Sequence, residues 1–277
     1  MQLILTADDF GLSNSVNAAV MRAHQQGVLT SASLMVAGDA AAQAVALAKA
    51  TPTLAVGLHV VLASGRSLLP PQAIPHLVDA TGKFPGNPLI AGLRCVATRE
   101  ARAELRLELE AQFESFAASG VPLNHVDSHL HYHIHPFVLD LLLPLAQQYG
   151  ARGLRIPHDD LGQALAYDRH RAVQKIGLTF IFGLLGRLYH AKIRRYRLAV
   201  ADRVYGMLQS GQMSERYVLG LLETFNAPAA EIFFHPDLAP TQIHQGPNPD
   251  DLATLLSPAI RQMIKRRGIR LATYADL

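Results

Sequence analysis

Tryptophan is absent from this chain and cysteine occurs once, as Cys95. A single cysteine excludes an internal disulfide and is compatible with a reducing compartment. No uncharged stretch reaches the ~18 residues that crossing a bilayer requires. No basic segment followed by an apolar one opens the chain, so a secretory leader is not expected. Charge is sparse too: charged residues make up 17% and the formal net charge is +3, too mild to imply a nucleic-acid partner. Neither a G-x-S-x-G elbow nor a Walker-type loop occurs, which disfavours serine hydrolases and P-loop enzymes. The expectation is a cytoplasmic protein without nucleic-acid partners.

What is present is apolar mass and histidine. The chain has 277 residues, 49% of them apolar, and 13 histidines. That length suits one α/β barrel domain. Strand-like runs alternate with helical patterns along the whole sequence. The run from Leu3 to the adjacent acids Asp8 and Asp9 reads as a strand, as do Val28–Val36, Leu54–Leu62, Leu123–Asp127, Gly153–Pro157, Arg203–Leu208, Glu231–His235 and Ile269–Tyr274. Helices are expected at Ser13–Gln26, Ala40–Lys49, Thr98–Ala118, Phe137–Tyr149 and Asp250–Arg266, with a long Pro- and Gly-rich loop over Ser64–Asn87. The helix after Thr98 reads as a surface helix with one apolar stripe. About seven or eight βα units in this order predict a parallel sheet wrapped by helices, closed or nearly closed into a (β/α)7–8 TIM-like barrel. A single domain spanning 1–277 is expected, with a partly apolar, basic helical insertion at about 161–201.

The residues with chemical potential share a position. Asp8, Asp9, His59, His129, Arg155 and His235 all fall in or just after predicted strands. In a barrel those ends converge on one face. The adjacent carboxylates Asp8 and Asp9 repel unless a cation or shared proton relieves them. Helix capping is the structural alternative, but Ser13 and Asn14 already supply caps. From His125 to His133, histidines recur at every second or fourth position, and in an extended chain alternate residues share a face. Two imidazoles and a carboxylate facing one point suit a divalent metal with open positions. The second carboxylate is then free to act as a general base. Spacing alone allows either acid to be the ligand. Each histidine taken singly fits a hydrogen-bonding loop residue equally well, and His235 fits either a buried structural histidine or a catalytic one. The roles of His125, His131, His133 and His135 stay open.

Ala7-Asp8-Asp9-Phe10-Gly11, Gly57-Leu58-His59, His125-Val126-Asp127-Ser128-His129-Leu130-His131 and Phe234-His235-Pro236 resemble, in order, the signature blocks of the YdjC-like carbohydrate deacetylases. The resemblance implies that the barrel is distorted, similar to that of polysaccharide deacetylases, and that the chain hydrolyses an N-acetyl group from an acetamido sugar. It implies Asp9, His59 and His129 as metal ligands, Asp8 as general base and His235 as the group that protonates the leaving amine. Arg155 matches an arginine that orients a carboxylate or substrate. The implied cofactor is one divalent ion, zinc or magnesium, and a donor set of two nitrogens and one oxygen favours zinc or another transition ion.

The segment between Leu161 and Arg203 departs from the short sugar-deacetylase pattern. Gly177–Gly186 is apolar, and Arg187, Lys192, Arg194, Arg195 and Arg197 follow. Leu178–Arg197 is read either as a peripheral membrane contact, at an inner-membrane surface, or as a core helix followed by a solvated basic one. The insertion resembles that of a subgroup associated with hopanoid biosynthesis, which implies a hopanoid lipid with an N-acetylglucosamine head as substrate. The alternatives are a chitooligosaccharide or diacetylchitobiose deacetylase, and a non-catalytic metal-containing barrel that binds carbohydrate or lipid. The last would need His131 or His133 as a fourth ligand. The expected partner is an N-acetylglucosamine-containing small molecule or glycolipid. The oligomeric state, homodimer included, is left open.

Overall fold

The first strand sits at the centre of the molecule, its apolar run Leu3-Ile4-Leu5 delivering two acids to its carboxyl end. In the computed structural model, which describes residues 1–239 and 246–277, every residue of β1 (Gln2–Phe10) after the first is buried. A strand covered on both faces needs a continuous apolar run rather than an alternating one. It is followed by α1 (Asn14–Gln26), β2 (Ser31–Leu34), α2 (Ala41–Ala50), β3 (Ala55–Val60), α3 (Pro88–Ala97) and α4 (Arg99–Ala118). Next come β4 (Leu123–Ser128), a 3₁₀ turn (His129–Ile134), α5 (Pro136–Gln148), β5 (Gly153–Leu154), α6 (Leu161–Tyr167) and α7 (Ala172–Arg195). The chain continues through β6 (Arg203–Tyr205), α8 (Glu215–Thr224), β7 (Ala229–Phe234), α9 (Pro249–Leu256), α10 (Pro258–Arg266) and β8 (Arg270–Leu271).

The strands pair in parallel in the order β5-β4-β3-β2-β1-β7-β6, with β8 paired to the start of β1. The two outer edges meet without a continuous ladder. The Leu154 amide donates to Ala199 O at 2.9 Å, the Ala199 amide to Arg152 O at 2.9 Å, and the Val204 amide to His158 O at 3.3 Å. The segment between α7 and β6 therefore stitches β5 to β6. The result is a distorted form of the α/β barrel that the strand–helix alternation predicts.

Local chemistry sets the element ends. Ser13 Oγ accepts from the Val16 amide at 3.1 Å and starts α1, as a side-chain cap should. The run expected as one helix over Asp250–Arg266 is two. Pro258 has no amide to donate and its ring blocks the preceding turn. Ser257 there becomes the cap of α10, accepting from Ala259 and Ile260. Helices α3 and α8 lie where the sequence reading assigned no element. The expected strands Val28–Val36 and Ile269–Tyr274 shrink to β2 and β8. The charged face of α4 is also not wholly solvated. Glu104 and Glu108 are buried under the long loop. Glu108 accepts from the amides of Leu68 and Leu69 at 2.8 and 3.0 Å, and Glu104 from that of His76 at 2.9 Å. A loop with no ladder partners needs such acceptors for its backbone.

Gly57 in β3 has no room for a side chain. A Cβ there would lie 2.5 Å from Nε2 of the fully buried His125 ring. Gly57→Ala is expected to destabilise the protein by about 1–3 kcal/mol through overpacking. A thermal melt unchanged from the parent would show that the His125 pocket yields freely.

Candidate active site

Adjacent residues of a strand point to opposite faces, so Asp8 and Asp9 should diverge. They do not. Asp9 has a left-handed backbone (φ 62), and the pairing of β1 with β2 slips between Ala7 and Phe10. Both carboxylates consequently line one cleft of about 1180 Å³ at the carboxyl ends of the strands. Aspartate adopts this conformation more readily than most residues.

Their partners separate them. Arg155, directly after β5, is fully buried and takes Asp8 in a two-pronged grip. Nη1 donates to Asp8 Oδ2 at 2.7 Å and Nη2 to Oδ1 at 2.8 Å. The same guanidinium donates to both oxygens of Glu231, at 3.1 and 2.8 Å, and its Nη2 lies 2.9 Å from Asp127 Oδ2. Burial opposes its charge, but Asp127, Asp8 and Glu231 together hold it protonated well above its usual range. Glu231 is held in turn by the hydroxyls of Thr6 and Tyr274, at 2.7 and 2.6 Å.

Asp9 faces imidazoles instead. Its Oδ1 stands 3.1 Å from His129 Nδ1 and 3.5 Å from His59 Nε2. Burial raises the Asp9 pKa, but the charge and hydrogen bond of His129, with the nearby His59 ring, carry it well below the usual carboxylate range. On the far side of its ring, His59 Nδ1 donates to Asp127 Oδ1 at 2.7 Å. Nε2 is thereby aimed at Asp9, buried and without a hydrogen-bond partner among the described residues. An orphaned buried nitrogen is costly unless something binds it. Burial works against a positive charge on His59, yet Asp127, then Asp8 and Asp9, raise its pKa to about 10. A cation at Nε2 would take the place of that proton.

These donors fit a divalent ion. Asp9, His59 and His129 each offer one atom, all within 4.8 Å of one another. Ligand atoms about 2.1 Å from a tetrahedral ion stand about 3.4 Å apart, close to the separations measured from Asp9. The carboxylate–histidine pairing of Asp127 and His59 is what a metal-binding imidazole needs behind it. Four carboxylates, Asp8, Asp9, Asp127 and Glu231, are buried here with one guanidinium, which engages all but Asp9, and a divalent ion beside Asp9 would offset much of that excess. A second grouping, Asp8, His59 and Asp127, is also close enough. Its oxygens, however, are already committed to Arg155, to His59 Nδ1 and to Ser33 Oγ.

The histidine run is not extended. Leu130 and His131 both have φ 57, so the chain curls into the 3₁₀ turn and only His129 of the run reaches the donor set. His125 is a core residue, 3.0 Å from Ser33 Oγ and stacked on Tyr274. Both nitrogens of His133 are occupied, by Ser128 Oγ and by Arg155 O, each at 2.7 Å. His131 lines the cleft wall between the rings of Phe182 and Phe233, and His135 precedes α5. His235 lies beyond β7 and lines the same cleft, with Nε2 3.9 Å from Asp8 Oδ2. Its amide is anchored on Asp251 Oδ2 at 2.8 Å. The sequence reading assigned no role to Glu231. A lone acid inside the apolar strand Ala-Ala-Glu-Ile-Phe-Phe was the available signal.

A family model described as "YdjC-like protein" matches residues 2–266. A carbohydrate deacetylase of Brevibacillus brevis is 43% identical, covering 100% of both chains. A chitooligosaccharide deacetylase of Serratia marcescens is 32% identical, covering 99% of this chain and 98% of its own. A solved structure from Enterococcus faecalis V583, described as a candidate cellobiose-phosphate cleavage protein, superposes with a TM-score of 0.77 at 26% identity, over 99% of this chain and 98% of that one.

Asp127→Asn leaves the donor atoms in place but weakens the orientation of His59. Calorimetric titration with zinc or magnesium should show affinity about 10–100-fold weaker. Parental affinity would show that Asp127 does not orient the ligand.

Proposed function

The chain belongs to the YdjC-like family, and from that membership we propose that it hydrolyses the N-acetyl group of an acetamido sugar, releasing acetate and a free amine. The observation that carries the reading is the convergence of Asp9, His59 and His129, with His59 Nε2 buried and unpartnered. In this reading they hold the divalent ion, with zinc favoured over magnesium by the donor chemistry. The ion supplies Lewis-acid activation of the acetamide carbonyl and of water.

The chain's own residues handle the protons. Asp8, fixed by Arg155 beside the donor set, accepts the proton of the attacking water. His235, which lines the same cleft with Nε2 3.9 Å from Asp8 Oδ2, gives a proton to the sugar nitrogen as the C–N bond breaks. Arg155 does not reach the cleft surface, so its role is to position Asp8 rather than to bind substrate. The whole chain, 1–277, acts as one domain in which α6 and α7 are an insertion, and α7 walls the cleft through Gln174, Leu178 and Phe182. A non-catalytic barrel with a closed structural metal site is disfavoured. His133 spends both nitrogens elsewhere, and His131 does not join the donor set among the described residues.

A second reading concerns the substrate. Leu178 and Phe182 of α7 line the cleft, and an apolar wall beside a sugar-hydrolysing centre suits an amphiphile such as the N-acetylglucosaminyl head of a hopanoid lipid. Diacetylchitobiose is the alternative substrate, which uses no apolar wall. Acetate release from both compounds by the metal-loaded protein distinguishes them, and release from neither would sink the deacetylase reading.

Asp8→Asn should retain bound metal and lose about 10²–10⁴-fold in turnover, as measured by metal analysis beside acetate release. Full activity would remove Asp8 from the mechanism. His59→Ala and His129→Ala should each lose the metal, and full occupancy in either would refute that ligand.

A further inference from the structure

The sequence left two readings of the insertion, a peripheral membrane contact or a core helix followed by a solvated basic one. The structure has a single 24-residue helix, α7, of which only Lys175 and Ile193 are buried. At 100° per residue, Val173, Ile176, Phe180, Leu184 and Leu188 fall within an arc of about 120°. That arc faces outward: these side chains are 84, 49, 72, 48 and 62% exposed. An amphipathic helix of a globular domain turns such a stripe toward the core. Helix α3 likewise exposes Leu89, Ile90 and Leu93 by 78, 47 and 69%. Both helices border the same cleft, α3 through Pro88 and Arg94, α7 through Gln174, Leu178 and Phe182. The exposed apolar groups thus belong to helices that wall the cleft.

Charge identifies the occupant. Between Asp168 and Asp202 the chain has eight Lys and Arg and no Asp or Glu. The net +3 of the protein comes from this stretch alone, and the remainder is net acidic. Arg187, Arg194 and Arg195 are exposed and share the arc of the apolar stripe. A second copy across a two-fold axis would bring this basic helix against itself. No helix among the described residues is long and apolar enough to cross a membrane. Apolar side chains interleaved with arginines on one face suit the headgroup–acyl boundary of an anionic bilayer.

We propose that the outer face of α7, with the exposed turn of α3, seats on an anionic lipid surface and brings the cleft rim to the interface. The proposal goes beyond the deacetylase reading and does not depend on it.

The test is flotation of the full chain with phosphatidylcholine vesicles, with and without about a quarter of phosphatidylglycerol. The protein should float with the anionic vesicles, and about tenfold less with phosphatidylcholine alone or in high salt. The triple variant Phe180→Ser, Leu184→Ser, Leu188→Ser should lose about tenfold in bound fraction. None of these three residues lines the cleft, so release of acetate from soluble diacetylchitobiose and the thermal melt should match the parent. Failure of the parent to float, or equal flotation of the variant, overturns the proposal. So does a parent dimer in sedimentation that the variant loses, which would assign the face to a second copy.

Discussion

The buried guanidinium of Arg155 is the constraint on which the rest of the site depends. Its hydrogens are shared among Asp8 of β1, Asp127 of β4 and Glu231 of β7, so one cation ties three separate strands at the end where the cleft opens. Burying a charge is costly, and several carboxylates around one guanidinium are stable only when each is oriented and hydrogen-bonded. That condition is met: Thr6 and Tyr274 hold Glu231, Ser33 and His59 hold Asp127, and the ring of Phe233 lies 4.6 Å below the guanidinium plane. Through Asp127 the same arginine also reaches the imidazole of His59. The placement of Asp8 and that of His59 are therefore set by one buried side chain that does not itself line the cleft.

This arrangement explains why two acids can stand side by side. Asp8 and Asp9 looked interchangeable in the sequence because their spacing carries no information about their partners. In the folded chain the left-handed turn at Asp9 puts both on the cleft side. Arg155 then claims both oxygens of Asp8 and leaves Asp9 to the imidazoles. An acid fully engaged by a guanidinium makes a poor metal ligand, whereas one facing two nitrogens makes a good one. The sequence showed the pair and the strand that delivers it. The turn that reunites them depends on a slip in the pairing of β1 with β2, which no single strand reveals.

Much of the scaffold was legible for the same reason that strand ends were. Apolar runs, caps such as Ser13 and Thr98, and turn residues are local signals, and they located Asp8, Asp9, His59, His129, Arg155 and His235 near one face. What escaped was non-local. The histidine run looked extended because alternation suggests it, but left-handed residues at Leu130 and His131 break the alternation. His125 and His133 then serve the core, bonded to Ser33 and Ser128. Glu104 and Glu108 looked solvated because acids on a helix usually are. Their burial follows from a loop whose amides have no other acceptors.

The insertion illustrates a different limit. Periodicity reports that a helix has an apolar stripe but not which side of the helix meets the protein. Helix α7 has apolar side chains on both: Leu178 and Phe182 turn to the cleft, while Phe180 and Leu184 turn outward. A helix with its side chains is only about 10–12 Å thick. The cleft wall and the outer face are therefore two sides of one thin layer. If the outer face seats on lipid as proposed, only that thickness would separate the bilayer from the apolar wall of the cleft. The exposed outer stripe and the apolar cleft wall, each unfavourable in water alone, would then be complementary sides of one layer.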